Sequence, residues 1–286
     1  MGAADVVPGV SGGTMAYILG IYEQLLAAIK SFDTAWLCMI LRLQFRSALA
    51  RPHFGFIIPL GIGIAVALFT FTRIIPIPRL LQTHPESVYG LFFGLILGSI
   101  FILQRQTKLT SPRQFAWLMA GAAIGWTIMT AGVGATPDTP MFALISGMLA
   151  ICAMILPGIS GSFILLILGK YTYIFDALGR LDLAIIIPFG IGAVIGLASF
   201  ARVLSLVLAR WRNTTLLVIN GVLAASLWII WPFQMREYAP AGSGAKLVHS
   251  TPFLPTDIDV TVLSSCALAL SGLAAVLLIH FMAERR

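Results

Sequence analysis

The chain has 286 residues, of which 59% are hydrophobic and 10% charged, with a net charge of +7 and a mean hydropathy of +0.97. Soluble domains carry about 25% charged residues, so a soluble enzyme module is excluded and nearly the whole chain belongs in or against a bilayer. The positive balance reads as loops facing anionic lipid and not as a nucleic-acid surface.

Residues 1–30 are too short and too interrupted for an ordinary membrane span. No cleavable signal peptide is expected ahead of them, because Met1 stands almost against the first motif. That motif is Val7-Pro8-Gly9-Val10-Ser11-Gly12-Gly13-Thr14, followed by an apolar helix to Ile29 that carries Tyr22 and Glu23. Proline removes a backbone donor and glycine admits unusual dihedrals, so the chain must break there. In lipid such a break is tolerated only where protein or a wet cavity surrounds it. The segment therefore reads as a re-entrant hairpin. Residues 31–53, with Trp36 and Phe45 set against Arg42, Arg46 and Arg51, suit a helix lying in the interface, and equally an ordinary basic loop.

Spans are predicted at 54–73, 88–103 and 115–133, each near the ~20 apolar residues that cross the hydrocarbon. A Gly-, Thr- and Pro-rich turn precedes a second hairpin over 142–169, broken at Leu156-Pro157-Gly158-Ile159-Ser160-Gly161-Ser162. Further spans are predicted at 183–208, 215–231 and 260–282. The polar, proline-rich stretch 232–259 is predicted to be irregular.

The two halves repeat. Pro8, Gly9, Ser11, Gly12, Leu19, Gly20 and Tyr22 recur at one common offset as Pro157, Gly158, Ser160, Gly161, Leu168, Gly169 and Tyr171. Pro59, Gly61 and Gly63 recur as Pro188, Gly190 and Gly192, Arg73 matches Arg202, and Gly94 and Ser99 match Gly221 and Ser226. The expected fold is an all-α integral membrane protein with a first repeat over 1–135 and a second over 136–286. Each repeat is one re-entrant hairpin plus three transmembrane helices. Three is odd, so the second repeat is inverted relative to the first. This topology gathers Lys30, Arg42, Arg46, Arg51, Arg105, Lys108, Arg113, Arg210, Arg212, Arg285 and Arg286 on one side, cytoplasmic by the positive-inside rule.

A Pro-Gly-x-Ser-Gly turn opening a helix offers backbone N–H groups, a serine hydroxyl and the positive end of the helix dipole. Two such turns meeting from opposite faces would cradle an anion. Ser11, Gly12, Gly13 and Thr14 with Ser160, Gly161 and Ser162 are the candidate binding residues. Arg73 and Arg202 join them, since arginine forks onto phosphate and an intramembrane charge is costly unless functional. Asp5 and Glu23 are candidates to pair with these arginines or to carry a coupling proton. Lys170, after Gly169, reads as an interfacial anchor, and Tyr22 and Tyr171 as belt residues or ligands. The three cysteines and four histidines show no metal spacing, so no metal or other cofactor is expected.

With those residues in hand, the chain resembles the bacterial polyprenyl-phosphate translocases along nearly its whole length. The resemblance rests on Gly2-Ala3-Ala4-Asp5-Val6-Val7-Pro8-Gly9-Val10-Ser11-Gly12-Gly13-Thr14, on Leu19-Gly20-Ile21-Tyr22-Glu23, and on the second motif through Phe163. It implies a multi-pass protein of the bacterial cytoplasmic membrane. That protein would return undecaprenyl phosphate, the carrier of cell-wall sugars, from the outer to the inner leaflet without covalent chemistry. The partners implied are the polyprenyl phosphate and membrane lipids; the oligomeric state is open, with a homodimer among the options. Two other readings stand beside it. A membrane undecaprenyl-diphosphate phosphatase would carry an arginine where Gly12 and Gly161 stand here. An ion or small-anion transporter could use the same helix ends.

Overall fold

The computed structural model describes residues 1–2, 11–75, 80, 83–107, 109–131, 136–241, 244–257 and 259–284. The candidate Asp5, together with Pro8 and Gly9, lies outside them. Among the described residues the first helices are α1 (Gly12–Ile18) and α2 (Tyr22–Lys30), followed by two short ones, α3 (Thr34–Leu41) and α4 (Phe45–Ala50). Then come α5 (Phe54–Phe69), running into a π turn at Thr70–Ile74, α6 (Pro85–Gln106) and α7 (Pro112–Met129). The second half holds α8 (Pro140–Ile155), α9 (Gly161–Ile167), α10 (Tyr171–Arg180), α11 (Leu183–Ile229), strands β1 (Gln234–Ala241) and β2 (Gly244–Pro252), and α12 (Val260–Glu284).

Helix starts follow from local chemistry. Pro85, Pro112 and Pro140 stand at the first helical positions, where a missing N–H costs nothing. Ser111, Thr139, Asp33 and Asp182 cap helices by accepting backbone N–H bonds in the first turn.

Among the described residues, α6, α11 and α12 are long and apolar enough to cross a membrane. Two bent pairs also qualify as broken spans or re-entrant loops: α2 with α3, and α9 with α10, the latter bent by 113°. The protein is a multi-pass, mostly helical membrane protein, and its described residues hold three to five such spans by length and composition. Helix α11 has 47 residues, roughly 70 Å if straight. It is not straight. Trp211 leaves helical geometry at φ −134°, ψ 48°. The Thr215 hydroxyl donates to the Val207 carbonyl, 3.5 Å away and eight positions back. Eight residues of continuous helix span about 12 Å, so the chain folds back at Trp211.

Three helix pairs form the body. Along α6 and α12, Gly90 lies against Ser265, Gly94 against Ala269 and Gly98 against Val276, so the two helices run parallel. Helix α7 packs on the second half of α11 through Gly121, Gly125 and Gly221, and α8 packs on its first half through Gly147, Gly192 and Gly196. A Cβ at Gly94, Gly121 or Gly192 would overlap a carbonyl of the facing helix. Small residues let backbones meet where lipid gives no hydrophobic drive to association.

The stretch at 232–259 corrects the all-α expectation. Its strands pair antiparallel from Gln234 opposite Pro252 to Ala241 opposite Gly244, with an irregularity at Glu237/Tyr238. The prolines that suggested irregular chain are compatible with a two-stranded ribbon, in which both strands are edges and a missing N–H is tolerated.

Candidate functional site

The described end of the first motif, Ser11–Thr14, touches the turn of the second. Each serine caps the short helix that follows it: the Thr14 amide donates to Ser11 Oγ and the Phe163 amide to Ser160 Oγ, both at 3.2 Å. Across the junction, the Gly158 amide donates to Thr14 Oγ1 at 2.9 Å, and Ser11 Oγ donates to the Leu156 carbonyl at 3.4 Å. Ser11 and Thr14 are fully buried and Ser160 is 7% exposed. Backbone approach is equally close: a Cβ on Gly13 would lie 2.6 Å from the Ile155 carbonyl oxygen, and one on Gly161 2.8 Å from that of Ala150. Gly158 has φ +95°, which a side chain would strain. The structure thus brings together Ser11, Gly13 and Thr14 with the turn that carries Gly158, Ser160 and Gly161. Ser160 also exchanges a 3.2 Å hydrogen bond with Ser162. The serine hydroxyls predicted to face a ligand are, in this closed arrangement, used as caps and cross-links.

Two of the charged candidates, Arg202 and Glu23, make their contacts away from that junction. Arg202 is exposed and donates to the carbonyls of Ala198 and Phe32, neither of which belongs to a motif turn. Arg73 lies in the π turn that ends α5, and its side chain is outside the described set. Glu23 pairs with Arg212, a partner the sequence did not suggest. The reason is position: α2 packs along α11 so that Tyr22 and Leu26 cluster with Leu204 and Leu208, which brings Glu23 to the arginines at the Trp211 bend.

Two further expectations are corrected. Lys170 is fully buried and not an interfacial anchor. Its ammonium donates to the Thr136 carbonyl at 2.6 Å and to Asp138, and lies over the Tyr173 ring. A buried ammonium must be paired, and its acidic partner comes from the loop before α8, too far along the chain for spacing to reveal. Tyr22 is not an exposed belt residue: it is 3% exposed and its hydroxyl donates to the Ile155 carbonyl at 3.0 Å.

Beyond α1 lies a cavity of about 300 Å³ that the sequence did not suggest. Leu19, Ile102, Leu103, Leu208, Leu216 and Ile279 form apolar wall, and Tyr17, Tyr22, Ser99, Glu23, Arg212 and His280 supply polar groups. The Glu23 and Arg212 side chains are each 62% exposed. Among the described residues no group of three or more His, Cys, Asp or Glu could hold a metal ion.

A multi-pass helical protein whose two motif helices meet at one junction, beside a charged-mouth cavity, has the class features of a membrane transporter. The chain belongs to the VCA0040-like family, described as undecaprenyl phosphate translocase-like, whose pattern matches residues 1–247. It is 43% identical over 235 residues to a polyprenyl-phosphate transporter of Vibrio cholerae, covering 82% of this chain and 75% of the relative. It is 32% identical over 252 residues to a polyprenyl-phosphate transporter of Staphylococcus aureus, covering 81% of this chain and 83% of the relative. These relatives are named as transporters and not as enzymes. No solved structure gives a significant match.

Proposed function

We propose that this chain returns undecaprenyl phosphate across the bacterial cytoplasmic membrane for cell-envelope glycan synthesis. The phosphate head passes the junction of the two Pro-Gly-x-Ser-Gly turns while the prenyl tail stays in lipid. The observation that carries this reading is the direct Thr14–Gly158 bond between turns 144 positions apart. Chain ends that open helices at one junction are suited to a negative headgroup. The junction is closed here, so passage requires its two sides to part. Alternating access, one repeat rocking against the other, supplies that motion.

Several observations support an inverted repeat over 1–135 and 136–286. Gly20 and Gly169, matched in sequence, both take positive φ, +69° and +66°. Ser11 and Ser160 cap matched helices at matched positions. The pairs α6 with α12 and α7 with the second half of α11 exchange partners between the halves. With the basic loops cytoplasmic, the first hairpin enters from the cytoplasm and the second from outside. Arg73 and Arg202 would guide the headgroup to and from the junction in other conformations of the cycle, with Asp5 or Glu23 as coupling acids.

The test is transfer of undecaprenyl phosphate between leaflets of liposomes holding the purified protein. Wild type should transfer it; Ser160→Ala and Arg202→Ala should abolish transfer while the protein stays folded. Wild-type transfer by both variants would overturn the junction mechanism. Phosphate release from undecaprenyl diphosphate, lost on Ser160→Ala, would replace the translocase by a phosphatase. Anion flux in liposomes without polyprenyl lipid would point to an ion carrier.

A further inference from the structure

We infer that the cavity at the Trp211 bend is a second, one-sided docking site for a phosphate monoester, held by Arg212 and kept releasable by Glu23. The inference rests on the transport reading above and names a station of the same lipid's path.

The cavity is separate from the motif junction but mechanically joined to it. At about 300 Å³ it stands at the lower end of the range for small-molecule sites. Its lining is divided in the way a prenyl phosphate is divided. Leu103, Leu208, Leu216 and Ile279 give apolar wall, and Arg212 with Glu23 gives a charged mouth. An arginine presents a planar fork of donors that matches a phosphate. Here that fork is turned to the Glu23 carboxylate. Both partners are 62% exposed, so a headgroup can reach the pair without unpacking the core. An incoming dianion would take the Arg212 donors, and Glu23 would then be left beside it as a like charge. Repulsion by Glu23 limits affinity and favours departure, which a carrier needs at the end of its path.

The link to the junction is Tyr22. Its ring stands at 5.6 Å from Tyr17 in the cavity wall, and its hydroxyl donates to the Ile155 carbonyl just before the second turn. Opening that turn therefore moves a wall of the cavity. The site is one-sided because, at the offset that matches Tyr22 to Tyr171, Glu23 corresponds to the uncharged Thr172.

The experiment is binding to the full chain in detergent micelles, with farnesyl phosphate, undecaprenyl phosphate, inorganic phosphate and farnesol as probes. Wild type should bind farnesyl phosphate. Glu23→Gln should bind it roughly tenfold more tightly and Arg212→Gln roughly tenfold more weakly, the scale of one charge-assisted hydrogen bond gained or lost. Arg212→Lys should recover part of the loss, and unchanged thermal melts should exclude misfolding. If wild type binds farnesyl phosphate and neither charge variant alters the affinity, the cavity inference is overturned and the transport reading stands. If wild type binds neither farnesyl phosphate nor undecaprenyl phosphate, the transport reading itself fails. Inorganic phosphate binding as tightly as farnesyl phosphate, with the same response to the variants, would overturn the lipid assignment in favour of free phosphate. Farnesol binding as tightly as its phosphate would overturn the role given to Arg212.

Discussion

Thr14 and Gly158 are joined by a 2.9 Å hydrogen bond in which the second turn donates and the first accepts. Thr14 is fully buried, and its hydroxyl also meets Ser11 Oγ at 3.1 Å. Thr14→Val keeps the shape and strands a buried amide, at a cost of about 1–3 kcal/mol. Thr14→Ser keeps the acceptor and should cost less than half as much. Thermal unfolding of the purified variants checks the order. Equal stability in both would mean that the bond does not hold the turns together.

Helix contact through glycine gives a sharper contrast. A Cβ on Gly94 would overlap the Ala269 carbonyl, whereas one on Gly61 meets nothing within 4 Å. Gly94→Val should destabilise by about 1–3 kcal/mol or more through overpacking. Gly61→Ala should be neutral or stabilising by up to about 1 kcal/mol, because alanine is the better helix former. Melting temperatures of the two variants, measured side by side, decide this.

Lys170 tests the second hairpin. Its partner Asp138 has a side chain 65% exposed, so loss of the ammonium leaves that carboxylate hydrated. The Thr136 carbonyl, however, loses its donor. Lys170→Met keeps the apolar stem and should cost about 1–3 kcal/mol, felt as faster amide exchange around α10 and the 136–139 loop. Asp138→Asn should be milder in the same measurement. The reverse order would show that the ion pair, and not the carbonyl bond, holds the hairpin.

The pair of Asp33 and Arg51 sets a pH dependence. Hydrogen bonding to Arg51, with help from the Trp36 amide, lowers the Asp33 pKa from 3.8 to about 2. A carboxyl whose pKa is depressed on folding stabilises fully above its unfolded value and loses that contribution as pH falls through the folded one. The start of α3 should thus be protected at neutral pH and loosen as pH drops from about 4 towards 2. The Asp33 side chain keeps 29% of its surface open, so the effect is local and screened by salt. Amide exchange of Trp36 should follow this course in wild type and be flat in Asp33→Asn.

Much of this was legible from residues. Proline, glycine and serine in fixed order marked both turns, because lipid forbids a broken helix without a reason. The meeting of Ser11 and Thr14 with the second turn follows from treating two matched breaks as one site. What could not be read were contacts set by how helices lie together. Glu23 and Arg212 are 189 positions apart and meet only because α2 packs on α11 before the Trp211 bend. Lys170 finds Asp138 across a loop. The strands at 234–252 were hidden by prolines, which weigh against strand in a sheet interior but not in a two-stranded ribbon.

The exchange of helices between the halves also bears on biogenesis. Helix α6 ends at Gln106 but is closed by α12, which begins only at Val260 and so leaves the ribosome much later. Until then the face carrying Gly90, Gly94 and Gly98 has no partner of its own and must wait in the bilayer or be shielded by an insertion factor. A nascent chain arrested before residue 260 should therefore be captured by membrane chaperones, while one extended through α12 should be released.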